Sequence, residues 1–155
     1  MSVSKEQWVQ IKQSLSYAHG DVHLKCDDYL IYARVEQLKM ELVVVVYVDG
    51  TFKGINAWRG KESKLAEMGD IARRFYRLRS IGLSAKTAAL SRIWGKEACK
   101  EKGYLERDYY TAPYFKTTGT FITHIKKHNP SIELLDRDRY EVLRDLQRTQ
   151  EADHG

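Results

Sequence analysis

Residues 42–48 read LVVVVYV, and this valine-rich run limits the possible folds more than any other segment of the chain. Seven consecutive aliphatic, β-branched or aromatic residues cannot keep either face in water, so the run predicts a strand covered on both sides at the centre of a sheet. Asp49-Gly50 follows it and is a strong signal for a type I′ hairpin turn, because both central positions of that turn need positive φ.

Two segments before this run alternate apolar and polar side chains, which is the period of a half-buried strand. They cover residues 21–26 and 29–36. Only a few residues separate the second segment from the valine-rich run, which is too few for a parallel crossover, so the two strands must be antiparallel. Together with a returning strand over residues 51–58, they predict a four-stranded antiparallel β-meander.

Helices are predicted before and after the meander in the chain. An amphipathic helix over residues 5–16 begins with Ser4 and Gln7 at the spacing of a capping box. The other helical patterns cover residues 64–79 and 84–102, a segment that begins near Pro113 and ends at Asn129-Pro130, and residues 137–151. A short strand pattern covers residues 131–135. The expected class is α+β, with one domain over residues 1–135 and a charged helical extension over residues 136–155.

Positive charge is concentrated in one part of the chain. The net charge is +5, and residues 59–102 alone contain 12 Lys and Arg against 5 Asp and Glu. A localised basic surface favours a polyanion or an acidic protein face as partner. The predicted contact residues are cations on the two helices of this segment, with two aromatic residues available for stacking on bases: Arg73, Arg74, Arg77, Arg79, Lys86, Arg92, Lys96, Lys100, Tyr76 and Trp58.

Two other interpretations of the basic segment stay open. It is also consistent with a solvated helix face that is partly neutralised by Asp70 and Glu97. A helix–turn–helix motif is suggested by Gly82-Leu83-Ser84, but that motif needs a tight turn between short helices, and here the first helix is predicted to continue to Arg79.

Catalytic and metal-binding patterns are weak. His124 and His128 have the i, i+4 spacing of a two-histidine zinc site, but no third ligand accompanies them. Asp49, Glu62 and Lys64 resemble the acidic and lysine residues of a metal-dependent nuclease, yet Glu62 and Lys64 precede a predicted helix where that motif needs a strand. We therefore expect a non-enzymatic protein without metal or cofactor, and keep the nuclease as an alternative.

The cellular setting is also suggested by the sequence. No apolar run approaches the roughly 18 residues of a membrane span, and the N-terminus lacks the pattern of a signal peptide. Cys26 and Cys99 form no C-x-x-C pair and are expected to be reduced. These features predict a cytoplasmic protein.

Scattered landmarks along residues 20–135 are similar to those of an uncharacterised family of small bacteriophage and prophage proteins. The landmarks are residues 25–29, 46–50, 52–54, 74–77, 84–86, 95–96, 102–103, 110–115, 124–129 and 131–135. The resemblance implies expression inside an infected bacterium and no particular activity. In that setting, we expect a binding protein that engages nucleic acid or a host nucleoprotein complex, such as an anti-CRISPR type inhibitor of bacterial defence. A stand-alone DNA- or RNA-binding protein is the alternative.

Overall fold

The main element of the fold is a five-stranded antiparallel sheet. Its strands are β1 (Asp21–Cys26), β2 (Tyr29–Leu38), β3 (Glu41–Val48), β7 (Tyr114–Phe115) and β8 (Ile132–Leu135), in the order β7-β3-β2-β1-β8. The computed structural model describes residues 3–50, 57–82, 89, 92–95, 97 and 107–154. Helices and a second antiparallel sheet accompany the five strands, so the α+β class is confirmed.

The main core lies on one face of this sheet, beneath three helices. The register aligns Val22, Ala33 and Val46 in one row across β1, β2 and β3. The helices are α1 (Lys5–Ser14), α2 (Asp70–Phe75) and α3 (Thr118–His128). They bury their apolar residues against the sheet, among them Ile11, Phe75 and Phe121, each with no exposed surface. The predicted capping box of α1 is confirmed, because Ser4 and Gln7 exchange side-chain-to-backbone hydrogen bonds.

The valine-rich strand β3 is covered on both faces, as its composition predicted. Four consecutive valines, residues 43–46, are all buried, although neighbouring residues in a strand point to opposite faces. The turn after it is also confirmed, since Asp49 and Gly50 have φ of 51° and 76°. Three strands of the predicted meander are therefore present with the expected antiparallel pairing.

The predicted fourth strand of the meander differs in the part that the structure describes. The neighbour of β3 is β7, which places Val44 opposite Phe115. Trp58 instead forms hydrogen bonds with Thr111, and residues 51–56 lie outside the described residues. The β7 pairing joins segments about 70 residues apart, and the alternation within residues 21–58 contains no signal for it.

The predicted helix over residues 64–79 is wrong. A short 3₁₀ helix covers Glu62–Glu67, α2 covers only Asp70–Phe75, and residues Arg77–Gly82 form a strand, β5. A continuous helix would carry Gly69 in its interior, at a cost of about 1 kcal/mol. From Arg77 onward the backbone instead pairs with the tyrosine-rich strand β6 (Asp108–Ala112), whose aromatic residues favour extended structure.

Strands β5 and β6 belong to a smaller sheet that also contains β4 (Arg59–Lys61), in the order β4-β6-β5. The helix predicted to begin near Pro113 is therefore also incorrect at its start. Pro113 lies between β6 and β7, and its carbonyl accepts a hydrogen bond from the Val46 amide. Helix α3 begins five residues later, where the Thr117 side chain caps it, and ends before Asn129 as predicted.

The C-terminal helix α4 (Arg137–His154) packs on the opposite face of the five-stranded sheet. Tyr140 is buried there with Leu30 and Leu135, and it lies next to the His23 ring. The predicted helix and the short strand before it are both present. The division into a domain and an extension stays a prediction.

Two further expectations concern single features. Cys26 is fully buried, and burial, with the charge of Asp27, raises the pKa of its thiol to about 12. Cys99 lies outside the described residues.

Within the described ranges, no helix has both the length and the apolarity that a bilayer crossing requires.

Candidate nucleic-acid interface

Arg74 has a structural role that its position in the basic segment did not reveal. Its Nη1 is 2.6 Å from Asp27 Oδ2 and its Nε is 3.1 Å from Asp70 Oδ1, and its guanidinium lies over the Tyr29 ring. These contacts tie α2 to the turn between β1 and β2. Because two of its nitrogens already donate to carboxylates and its side chain is only 21% exposed, we leave Arg74 out of the candidate interface.

The two aromatic residues proposed for base stacking also pack internally. Tyr76 is 1% exposed and offers no ring face to a base. Trp58 is half-buried against the core, and its amide donates a 2.7 Å hydrogen bond to Thr111 Oγ1. Its ring also covers Gly60, where a Cβ would lie 2.7 Å from the indole.

Arg73 and Arg77 instead belong to a basic cluster at the junction of α2, β5 and α3. We call the five residues Arg73, Arg77, His124, Lys127 and His128 the arginine–histidine cluster. His124 Nε2 donates a 3.2 Å hydrogen bond to the Arg73 carbonyl, and the His124 and His128 ring centroids are 4.3 Å apart. The Arg73 side chain is 59% exposed, and its guanidinium pairs with Asp70 at 2.7 Å.

Both histidines of the cluster lie in a positive electrostatic field. Burial, followed by the charge of His128, lowers the pKa of His124 to about 4, and Lys127 and Arg77 act in the same direction. Burial, followed by the charges of Lys127 and Arg73, also holds the pKa of His128 below its usual 6.5. The same field that disfavours a second cation here favours an anion.

The smaller sheet carries a second group of basic residues. Arg59 and Arg79 both lie opposite Tyr110, so the three residues form one row across β4, β6 and β5, which we call the arginine row. Arg79 lies over the Tyr114 ring at 5.0 Å, and its buried Nε and Nη2 have no hydrogen-bond partner. The donors of a buried guanidinium are usually paired with acceptors. These two donors of Arg79 are therefore unusual.

Arg77 connects the two groups. It lies two residues before Arg79 on β5, and alternate residues of a strand share a face. Across β4, β5 and β6 there are four cations, Arg59, Lys61, Arg77 and Arg79, and one carboxylate, Asp108. Part of the positive surplus of residues 59–102 therefore lies on this sheet, and Arg77 and Arg79 lie on a strand where a helix was predicted.

The remaining predicted cations belong to the segment after Gly82. Arg92 is described and exposed. Lys86, Lys96 and Lys100 lie outside the described residues, as does most of the predicted helix over residues 84–102.

The three residues of the nuclease alternative lie in different surroundings. Asp49 Oδ1 accepts hydrogen bonds from the Leu30 amide at 2.9 Å and from Gln147 Nε2 at 3.0 Å. Lys64 pairs with Glu67 at 3.5 Å, and the Glu62 amide bonds to the Arg107 carbonyl, beside the smaller sheet. Among the described residues, no group of three or more His, Cys, Asp or Glu side chains is arranged to hold a metal ion.

Sequence reasoning did not include Lys127, His128 or Tyr110 in the basic surface. The consecutive Lys126-Lys127-His128 at the end of α3 was a usable signal. The contact between α2 and α3 could not be predicted from the sequence, because it joins residues about 50 positions apart.

The fold and surface define an α+β protein with a basic, tyrosine-containing face on its smaller sheet and the adjacent helices. Comparison with models of protein families, with curated protein sequences and with solved structures gave no match.

Proposed function

We propose that this chain is a non-enzymatic binding protein that contacts the phosphates of a nucleic acid, free or within a host nucleoprotein complex. The observation that carries the proposal is the arginine–histidine cluster. Cations from three different elements converge there, and the cluster continues through Arg77 into the arginine row. Arginine and lysine on such a surface are the usual partners of backbone phosphates.

Aromatic side chains beside these arginines favour nucleic acid over a purely acidic protein partner. Tyr110 lies between Arg59 and Arg79, and Tyr114 lies under the Arg79 guanidinium. Both rings are partly exposed. Tyrosine and arginine side chains that lie next to each other on neighbouring strands provide stacking surfaces beside phosphate contacts, which is how many proteins hold single strands.

The resemblance to phage proteins adds a biological setting to this proposal. A phage protein that binds a nucleic-acid-containing complex of its host is well placed to inhibit a defence system of the anti-CRISPR type. Binding to free DNA or RNA is the competing version of the same proposal. Both versions use the same basic surface, and the experiments below separate them.

The direct test is salt-dependent binding of fluorescent oligonucleotides, followed by anisotropy. We expect single-stranded DNA or RNA to bind the natural protein with an affinity that falls steeply as NaCl increases. Replacing Arg73, Arg77 and Lys127 with alanine should weaken binding and reduce the slope of log K against log salt by about 0.7 for each lost single-strand contact.

The matched control removes three arginines from α4, on the other face of the five-stranded sheet. Arg137, Arg139 and Arg148 are all largely exposed, and their replacement by alanine lowers the net charge by the same amount. Equal losses of affinity in the two triple variants would mean that only net charge matters, and would remove the proposed surface.

A capture experiment from bacterial lysate separates the free nucleic acid from the nucleoprotein partner. A partner complex retained by the natural protein, and lost by the Arg73, Arg77 and Lys127 triple variant, supports the nucleoprotein version. If nuclease treatment abolishes capture and the purified protein binds oligonucleotides, the stand-alone version is supported. Absence of both activities contradicts the proposal.

A further inference from the structure

His128 occupies a position in the arginine–histidine cluster that suits direct contact with a bound phosphate. It lies in the last turn of α3 and is half-buried, and its ring centroid lies 4.3 Å from that of His124, with the two rings tilted. Lys127 is exposed on the same helix, and Arg73 is close enough for its charge to act on the His128 ring. His124 joins the two helices, because its Nε2 donates to the Arg73 carbonyl at 3.2 Å and its ring lies beside that of His128. A phosphate bound at this junction of α2 and α3 can therefore meet the His128 imidazole.

Among the described residues, the two charged groups that shift the pKa of His128 are both positive. Arg73 from α2 and Lys127 from α3 both hold its pKa below the usual value, in addition to the effect of burial. Arg77 from β5 adds to the positive field around the adjoining His124 ring, and the Phe115 ring from β7 lies 5.2 Å from that ring. The Asp70 carboxylate on α2 is already paired with Arg73 and Arg74.

A bound phosphate would oppose the positive charges that lower the pKa of His128. Its negative charge offsets Arg73 and Lys127 and provides an acceptor for an imidazolium N–H, and both effects favour the protonated ring. We propose that His128 completes a phosphate contact with Arg73 and Lys127 by taking up a proton, so that the surface binds nucleic acid more tightly as the solution becomes more acidic. This inference rests on the proposed function and specifies how the same site is regulated.

The expected linkage involves one proton. His124 uses its Nε2–H to bond the Arg73 carbonyl, and with a pKa of about 4 it stays neutral over the useful pH range. Because the pKa of His128 is higher in the complex than in the free protein, the added affinity is fully present below the free-protein pKa. It is lost as the pH rises through the pKa of the complex.

The test is the affinity for an oligothymidylate between pH 5.5 and 8 at constant ionic strength. Thymine does not titrate in this range, so any pH dependence comes from the protein. Between the two pKa values of His128, we expect the affinity to rise by up to about tenfold for each unit that the pH falls, the limit for one proton. His128→Gln should flatten this profile, whereas His19→Gln, which alters a histidine bonded to Arg34 instead, should keep it.

A second measurement does not depend on a variant that might fold poorly. Titration of the His128 imidazole by NMR, with and without oligothymidylate, should show a higher pKa in the complex. Salt-sensitive binding that is independent of pH, with an unchanged His128 pKa, would overturn this inference and leave the proposed function intact. Absence of binding at every pH would contradict both.

Discussion

At the scale of single residues, neighbouring arginines have different roles. Arg73 and Arg74 are adjacent in a basic segment, yet Arg73 is largely exposed and Arg74 connects two carboxylates and a tyrosine. The difference follows from helix geometry, because successive residues on α2 point about 100° apart. Only one of the two side chains can face the turn that contains Asp27.

Arg74→Ala should therefore lower the stability of the protein. Its removal leaves Asp27 and Asp70 without their shared partner, and we expect a loss of about 1–2 kcal/mol in the free energy of unfolding. Arg73→Ala is the matched comparison and should cost about 0.5 kcal/mol or less, as for an exposed ion pair. Urea denaturation measures both, and equal losses would show that the Arg74 ion pairs contribute nothing beyond an exposed pair.

At the scale of secondary-structure elements, α4 is attached to the sheet by specific contacts. Gln147 donates a hydrogen bond to Asp49, and the Arg144 guanidinium packs so closely on Gly50 that a Cβ there would lie 2.7 Å from it. Gly50 also has a positive φ, and that conformation favours glycine at this turn. These contacts connect the turn after β3 to the C-terminal helix α4.

Tyr140→Ala should test how strongly this helix is attached. Tyr140 is 9% exposed and packs with Leu30 and Leu135, so its truncation should lower the free energy of unfolding by about 2–4 kcal/mol. Val142→Ala changes a residue of the same helix that is 60% exposed, and should have little effect. If the Tyr140 variant were as stable as the Val142 variant, α4 would contribute little to the fold.

At the scale of the whole molecule, the two sheets are linked through β6, Pro113 and β7. One chain segment pairs first with β5 in the smaller sheet and then with β3 in the larger one. The arginine row and the core of the five-stranded sheet are therefore positioned by the same short stretch. This continuity holds the basic surface at a fixed place relative to the core.

Cys26 provides a probe of the global fold. It is fully buried in β1 and its thiol pKa is about 12, so both access and ionisation oppose its reaction in the native state. In a Cys99→Ser background, we expect a thiol reagent to label Cys26 at least about a thousandfold more slowly than in the unfolded chain, as a marginally stable domain implies. The rate should rise with urea in parallel with unfolding, and rapid labelling without denaturant would contradict a closed core.

The parts of the structure that were predictable are those with local causes. The strands β1 to β3, their antiparallel order, the Asp49-Gly50 turn and the capping box of α1 all follow from side-chain alternation or from the conformational needs of a few adjacent residues. The concentration of positive charge in residues 59–102 was likewise visible in the composition.

The tertiary structure determined the features that the spacing of apolar residues along the sequence left ambiguous, such as the choice between helix and strand. Residues 77–82 are compatible with a helix or a strand, and pairing with the tyrosines of β6 selects the strand. The valine-rich strand needed a partner at its open edge, and β7 from a distant segment provides one. Likewise, Arg73 and His128 become neighbours only when α2 and α3 pack together. Such contacts depend on burial and backbone pairing between remote segments, and no local pattern in the chain records them.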